Sequence, residues 1–119
     1  MWTIETTAQW EKDQKWYDKK RPNELAAVLR NLKRYVTLLN CCKNSKCAEA
    51  GYLHKEPSDV VAIDQKGGGG NLEETRLYTY AVDRGHILYL ITIGNKEYQH
   101  SDIEYCKQFV QALDTGFGS

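Results

Sequence analysis

The chain has 119 residues, with sixteen Lys/Arg against sixteen Asp/Glu, a formal net charge of zero and 41% hydrophobic residues. That length suits one domain around one core, and the ordinary apolar and charged content points to a folded, soluble protein rather than a disordered one. No apolar run is long enough to span a bilayer, Met1-Trp2-Thr3-Ile4-Glu5 lacks the basic and apolar regions of a signal peptide, and zero net charge argues against a large nucleic-acid surface.

The expected location is therefore the cytoplasm, away from membranes, with Cys41, Cys42, Cys47 and Cys106 as reduced thiols. The charge is unevenly spread. Residues 1–50 hold ten Lys/Arg, among them Lys19, Lys20, Arg21, Lys33 and Arg34, against six acids. A basic half of this kind can face phosphates, or it can be solvated helix surface.

In chain order, Trp2 to Thr6 alternates and reads as a short strand. Thr6 or Thr7 can cap a helix that starts near Ala8 and runs to about Lys19, with Trp10, Trp16 and Tyr17 as its apolar residues. Lys19-Lys20-Arg21-Pro22 breaks it, because the residue before a proline is pushed out of the α region. A second helix opens at Pro22 or Asn23. Its stripe of Leu25, Val28/Leu29, Leu32, Tyr35/Val36 and Leu39 repeats at three and four residues, and it frays near Asn40. Cys41 to Glu49 reads as a loop. Cys41, Cys42 and Cys47 resemble a metal cluster only loosely, since a second paired set is missing and only His54 and Cys106 could complete it, so no metal is expected.

Residues 52–57 suit a short edge piece, and Val60 to Ile63 suits a strand. The four glycines Gly67 to Gly70 lack both nucleotide-loop patterns and read as a flexible loop. Arg76 to Val82 and Ile87 to Ile93 are β-rich runs joined by Asp83-Arg84-Gly85, which makes them an antiparallel hairpin. The second run is uniformly apolar, so it belongs in the sheet centre with both faces covered. Ser101-Asp102-Ile103-Glu104 is a capping box, and Ile103, Cys106, Phe109/Val110 and Leu113 form the stripe of a closing helix. The expected fold is one α+β domain over residues 1–114, in the order β-α-α-β-β-β-α. Its sheet is small, twisted and antiparallel, with helices gathered to one side, and residues 115–119 are a flexible tail.

On the first hairpin strand, Arg76, Tyr78, Tyr80 and Val82 share one face. A guanidinium beside two phenols can hold a phosphate and stack bases, although Tyr on a sheet face also serves plain packing. Antiparallel pairing brings Lys96, Tyr98 and His100 to the same rim as Arg76, with Glu73 and Glu74 beside it. Such a set can serve RNA cleavage. Arg76 and Lys96 would neutralise the phosphate, and His100, Tyr98 or Glu73/Glu74 would move protons.

The segment from Glu74 to Val110 resembles the C-terminal half of RelE/ParE-type toxins, including the HigB branch. It has an Arg-bearing strand (Arg76), a turn, an apolar strand leaving through Ile93-Gly94-Asn95-Lys96, and a last helix. The close part covers about a third of the chain, and the rest agrees in element order. The resemblance implies the toxin of a type II toxin–antitoxin pair. Such a protein cuts mRNA on the ribosome or, in the ParE branch, inhibits DNA gyrase. It is silenced by a cognate antitoxin and needs no small-molecule cofactor. The family's terminal catalytic Tyr or His falls on Tyr98 or His100 only with a shift. Neutral charge and the long, glycine-rich 50–71 region depart from the family pattern. A non-catalytic interaction module on the same fold is the alternative.

Overall fold

The computed structural model describes the backbone of residues 1–118 and side chains through residue 115. Its elements are β1 (Thr3–Thr6), α1 (Ala8–Lys20), α2 (Pro22–Cys41), β2 (Leu53–Lys55), β3 (Val61–Ile63), β4 (Thr75–Val82), β5 (Ile87–Asn95) and α3 (Gln99–Gly118), with single 3-10 turns at Ser45–Cys47, Pro57–Asp59 and Lys96–Tyr98. The protein is of the α+β class, and its five strands lie in the order β1-β5-β4-β3-β2.

The sheet is mixed rather than wholly antiparallel. The β2–β3, β3–β4 and β4–β5 pairs are antiparallel, but β1 runs parallel to β5, with Thr3 opposite Ile87 and Thr6 opposite Leu90. The reason is topological. Strands β2 to β5 form a meander, whereas β1 arrives at the far edge through two helices, and a helical crossover permits the parallel sense.

The helices occupy both faces. One core joins Trp10 and Tyr17 of α1 and Leu25, Val28, Leu32, Tyr35 and Leu39 of α2 to Ile63, Leu77, Leu88, Leu90 and Ile93 of the sheet. A second, smaller core joins Cys106 and Val110 of α3 to Val60, Ala62, Tyr78 and Ile91. The expectation of helices on one side fails because Arg76-Leu77-Tyr78-Thr79-Tyr80 carries bulky side chains on both faces of β4, and each face must be covered. Both stripes read from the sequence face the cores, and β5 is an interior strand between β1 and β4 with both faces covered. Each fully buried Leu, Ile or Val contributes about 1.5–3 kcal/mol relative to exposure.

A bulge interrupts the β4–β5 ladder. Tyr78 pairs with Thr92 and Thr79 with Leu90, so Ile91 is the extra residue. It flips the alternation, which puts Ile91 and Ile93 in opposite cores although they are two positions apart.

Thr7 caps α1. Its hydroxyl accepts from Trp10 N at 3.0 Å and donates to the bulge carbonyl of Ile91 at 2.6 Å. The closing helix differs from its expected start. A 3-10 turn capped by Asn95, whose side chain accepts from Tyr98 N, leads directly into Gln99. Ser101 lies inside the first turn and donates to Tyr98 O, so the capping box does not form. The helix also runs on to Gly118 instead of ending in a tail at 115, and Ser119 lies outside the described residues. No helix of the described residues is long and apolar enough to cross a membrane.

Replacing Thr7 by alanine removes both the cap and the bulge contact. The expected loss is about 1–2 kcal/mol in urea denaturation at unchanged m-value, and a variant within about 0.3 kcal/mol of wild type would show that neither contact stabilises the fold.

Candidate functional site

The β4–β5 register does place Arg76 and the Lys96 exit at one end of the hairpin, with Arg76 opposite Gly94 and Thr75 opposite Asn95. Lys96, Tyr98 and His100 are exposed there, Tyr98 at 57%. The Arg76 guanidinium, however, is not free. Its side chain is 17% exposed and lies 3.4 Å from Glu56 Oε1 and 3.2 Å from Glu74 Oε1. Two carboxylates around one guanidinium leave a local charge of minus one, which repels a phosphate instead of gripping it. Glu56 is the residue the sequence reading missed. It lies twenty positions upstream, and no spacing marks it.

Two further expectations are corrected. Tyr78 is fully buried beneath α3, so it cannot stack on a base. Its phenol is pushed above its ordinary range by burial and then by the charges of Asp102 and Glu56. Tyr80 is half-buried against the same core. Lys19, Lys20 and Arg21 are exposed, but Arg21 pairs with Glu73 at 3.2 Å. The four cysteines are free thiols. Cys106 is buried in the α3 core, where burial first, then Asp102 and Glu56, raise it to about 12. Among the described residues no group of His, Cys, Asp and Glu is placed to hold a metal ion.

Beneath α3, three polar side-chain atoms are buried without a partner: Arg76 Nε, Tyr78 OH and Asp102 Oδ2. Buried polar atoms are normally paired, so this layer carries a desolvation cost. Asp102 sits over Gly94, where any Cβ would overlap its carboxylate. Burial, and then the charge of Asp13, raise Asp102 from 3.8 to about 6.

A different constellation gathers on the other side of the sheet. Asp64, whose side chain is 5% exposed, accepts from His54 at 2.6 Å and lies 3.6 Å from Lys66 Nζ. Asn31 of α2 is fully buried and donates to the carbonyls of Asp64 and Lys66, both at 2.9 Å. Arg34 donates to Asn31 Oδ1 at 3.3 Å and lies over the Tyr52 ring, 4.7 Å from its centroid. Arg30 reaches the first glycine of the loop, its NH2 3.5 Å from where a Gly67 Cβ would be.

One network, Arg34–Asn31–Asp64–His54/Lys66, therefore connects an imidazole to two cations, Lys66 beside the same carboxylate and Arg34 through Asn31. Lys33 lies exposed on the same helix between Arg30 and Arg34. The glycine loop is anchored by this network. Gly67, Gly69 and Asn71 take positive φ, and Gly68 packs so tightly on Ala27 that a Cβ would overlap it. No sequence signal marked the His54–Asp64 pair; it follows from the antiparallel pairing of β2 with β3, which seats His54 opposite Ala62, two residues before Asp64.

Comparison with protein-family models, curated proteins and solved structures yields no match.

Two outcomes follow for the layer under α3. Because the folded-state value of Asp102 lies above its ordinary one, the folded state holds the proton longer. Stability is then greatest below pH 3.8 for this group and falls as pH rises towards about 6. Asp102→Asn should flatten that slope and raise stability at pH 7 by about 1–3 kcal/mol, read by urea denaturation across pH. Tyr78→Phe removes an unpartnered hydroxyl and should raise stability by about 1 kcal/mol, while a loss of that size would mean the hydroxyl has a partner.

Proposed function

We propose that the chain is the toxin of a type II toxin–antitoxin pair, cytoplasmic, directed at mRNA on the ribosome and silenced by a cognate antitoxin. The element order agrees with what the RelE/ParE resemblance implies, with β2 as an added edge strand. The RNA-facing surface in this reading is the α2 and glycine-loop side, not the hairpin rim.

The observation that carries it is the His54–Asp64 contact of 2.6 Å, with Lys66 beside the same carboxylate and Arg34 linked to it through Asn31. Cleavage beside a 2′-hydroxyl needs a proton acceptor, a proton donor and neutralisation of the phosphate. A carboxylate only accepts, so Asp64 orients His54 through Nε2 and leaves Nδ1 for proton transfer. Lys66, Arg34, Arg30 and Lys33 supply positive charge along the face. Only Asp64 offsets them inside the network. The basic first half of the chain then has a use, although the whole is neutral.

A second reading, a non-catalytic partner-binding member of the same fold, is favoured by the charge at the hairpin rim, where Glu56 and Glu74 neutralise Arg76. A gyrase-directed toxin has no observation of its own in its favour.

Induced expression in a bacterial host, with message integrity read on translating ribosomes, separates these. Wild type should arrest growth and cut messages. His54→Asn should lose cleavage by about 10²–10⁴-fold while RNA binding stays within about threefold. Arg34→Gln with Lys66→Gln should weaken RNA binding and lower its salt dependence. Undiminished cleavage by His54→Asn removes this site. Loss of cleavage and toxicity in Arg76→Ala alone restores the hairpin rim. No arrest and no cleavage by wild type favours the interaction module, and DNA-damage signalling without message loss favours gyrase.

A further inference from the structure

Where β5 leaves the sheet, α1 and α3 flank a cleft of about 510 Å³. Its ionisable lining is Asp13, Asp102 and the phenols of Tyr17, Tyr98 and Tyr105, and no Lys, Arg or His lines it. Asp13 is well partnered but keeps acceptor capacity, with three of its roughly four lone-pair sites taken. It accepts from Gln9 Nε2 at 2.9 Å, Thr92 Oγ1 at 2.5 Å and Ile93 N at 3.3 Å. Asp102 is the reverse case, with one carboxylate oxygen buried and unpartnered. The two acids repel each other across the cleft, and no basic group in the lining relieves them.

The rim is aromatic and exposed. Trp16 is 52% exposed, Tyr98 57% and Tyr105 39%. Trp16 stands edge-on to Tyr17 with ring centroids 5.0 Å apart. Large apolar side chains left in water around a concave site mark a contact surface, and Trp and Tyr dominate binding energy in such surfaces. Aromatic faces also attract cations, most strongly where water is excluded. Two carboxylates and an aromatic rim in one cleft select a positively charged ligand.

We propose that this cleft receives an arginine or lysine side chain of a partner polypeptide. The cationic head lies against Asp102 and Asp13, and its aliphatic stem lies over Trp16, Tyr98 and Tyr105. The charge complementarity names the chemistry of the occupant. The exposed aromatic rim extends past the carboxylates and offers more apolar surface than a small ammonium ion covers, which favours a polypeptide. The inference does not rest on the RNA-directed reading, because it uses other residues and a ligand of opposite charge.

The test is fluorescence polarisation with a labelled, end-capped heptapeptide carrying one central arginine between leucines. It is run beside the same peptide with uncharged citrulline and with capped arginine amide as competitor. The arginine peptide should bind saturably and the citrulline peptide about tenfold or more weaker. Asp102→Asn should weaken arginine-peptide binding about tenfold, and Trp16→Ala about three- to tenfold, with circular dichroism confirming that both variants fold. Capped arginine amide should compete only at concentrations about a hundredfold higher. Absence of saturable binding, equal binding of the citrulline peptide, or an unchanged Asp102→Asn variant overturns the proposal. Equal potency of capped arginine amide overturns it too, by making the cleft a small-cation site.

Discussion

The Thr7 hydroxyl holds the junction on which the architecture turns. It accepts from the Trp10 amide in the first turn of α1 and donates to the carbonyl of the bulged residue Ile91, eighty-four positions away. The backbone adds Thr7 N to Leu90 O at 3.2 Å. Thus the end of β1, the start of α1 and the irregular point of β5 are tied at one place. A bulge leaves a carbonyl outside the ladder, and such a group must find a donor. Asp13 makes a second tie one and a half turns further along α1, to Thr92 and Ile93. The helix axis over the sheet follows from these two attachments.

Position then decides chemistry. With α1 fastened to β5 by Thr7 and Asp13, Trp16 and Tyr17 overhang the strand's exit. On the opposite face α3 starts directly from the turn after Asn95, and Gly94 has no side chain to keep Asp102 away. The acidic aromatic cleft is the space between those two consequences. The basic face arises separately. A fully buried asparagine, Asn31, holds two carbonyls of the β3–β4 loop and orients Arg34, so α2 sets the loop and the loop sets Lys66. The molecule thus keeps its acidic cleft and its basic face on different element pairs, which a net charge of zero conceals.

Periodicity made the helices and the hairpin legible because burial follows it. Leu25, Val28, Leu32, Tyr35 and Leu39 share one stripe and one core, and β5 could be placed centrally from its lack of charge. What escaped reading depended on partners distant in sequence. Arg76 looks like a free cation until Glu56 arrives from the loop before β3. Tyr78 looks like a stacking platform until α3 lies over it. Trp16 falls at a spacing that suggests packing, yet it is exposed, because Tyr17 and Trp10 already fill the contact with β5. The Ser101 box was locally correct in composition, but an earlier cap at Asn95 had already started the turn. The parallel sense of β1 leaves no mark in a four-residue alternation. It reflects the route of the chain and not the strand.

That parallel edge has a bearing on how the molecule is made. Among the described strands, β1 precedes in sequence the neighbour it pairs with, β5, by the whole of the meander, so β1 cannot dock until β5 has been made. Until then Ile4 and the amides around it stay unpaired, while the meander of β2 to β5 can assemble from near neighbours in sequence. Pairing over so long a separation closes a large loop late and slowly. The β1–β5 pairing therefore closes the sheet after the meander of β2 to β5 can already have formed.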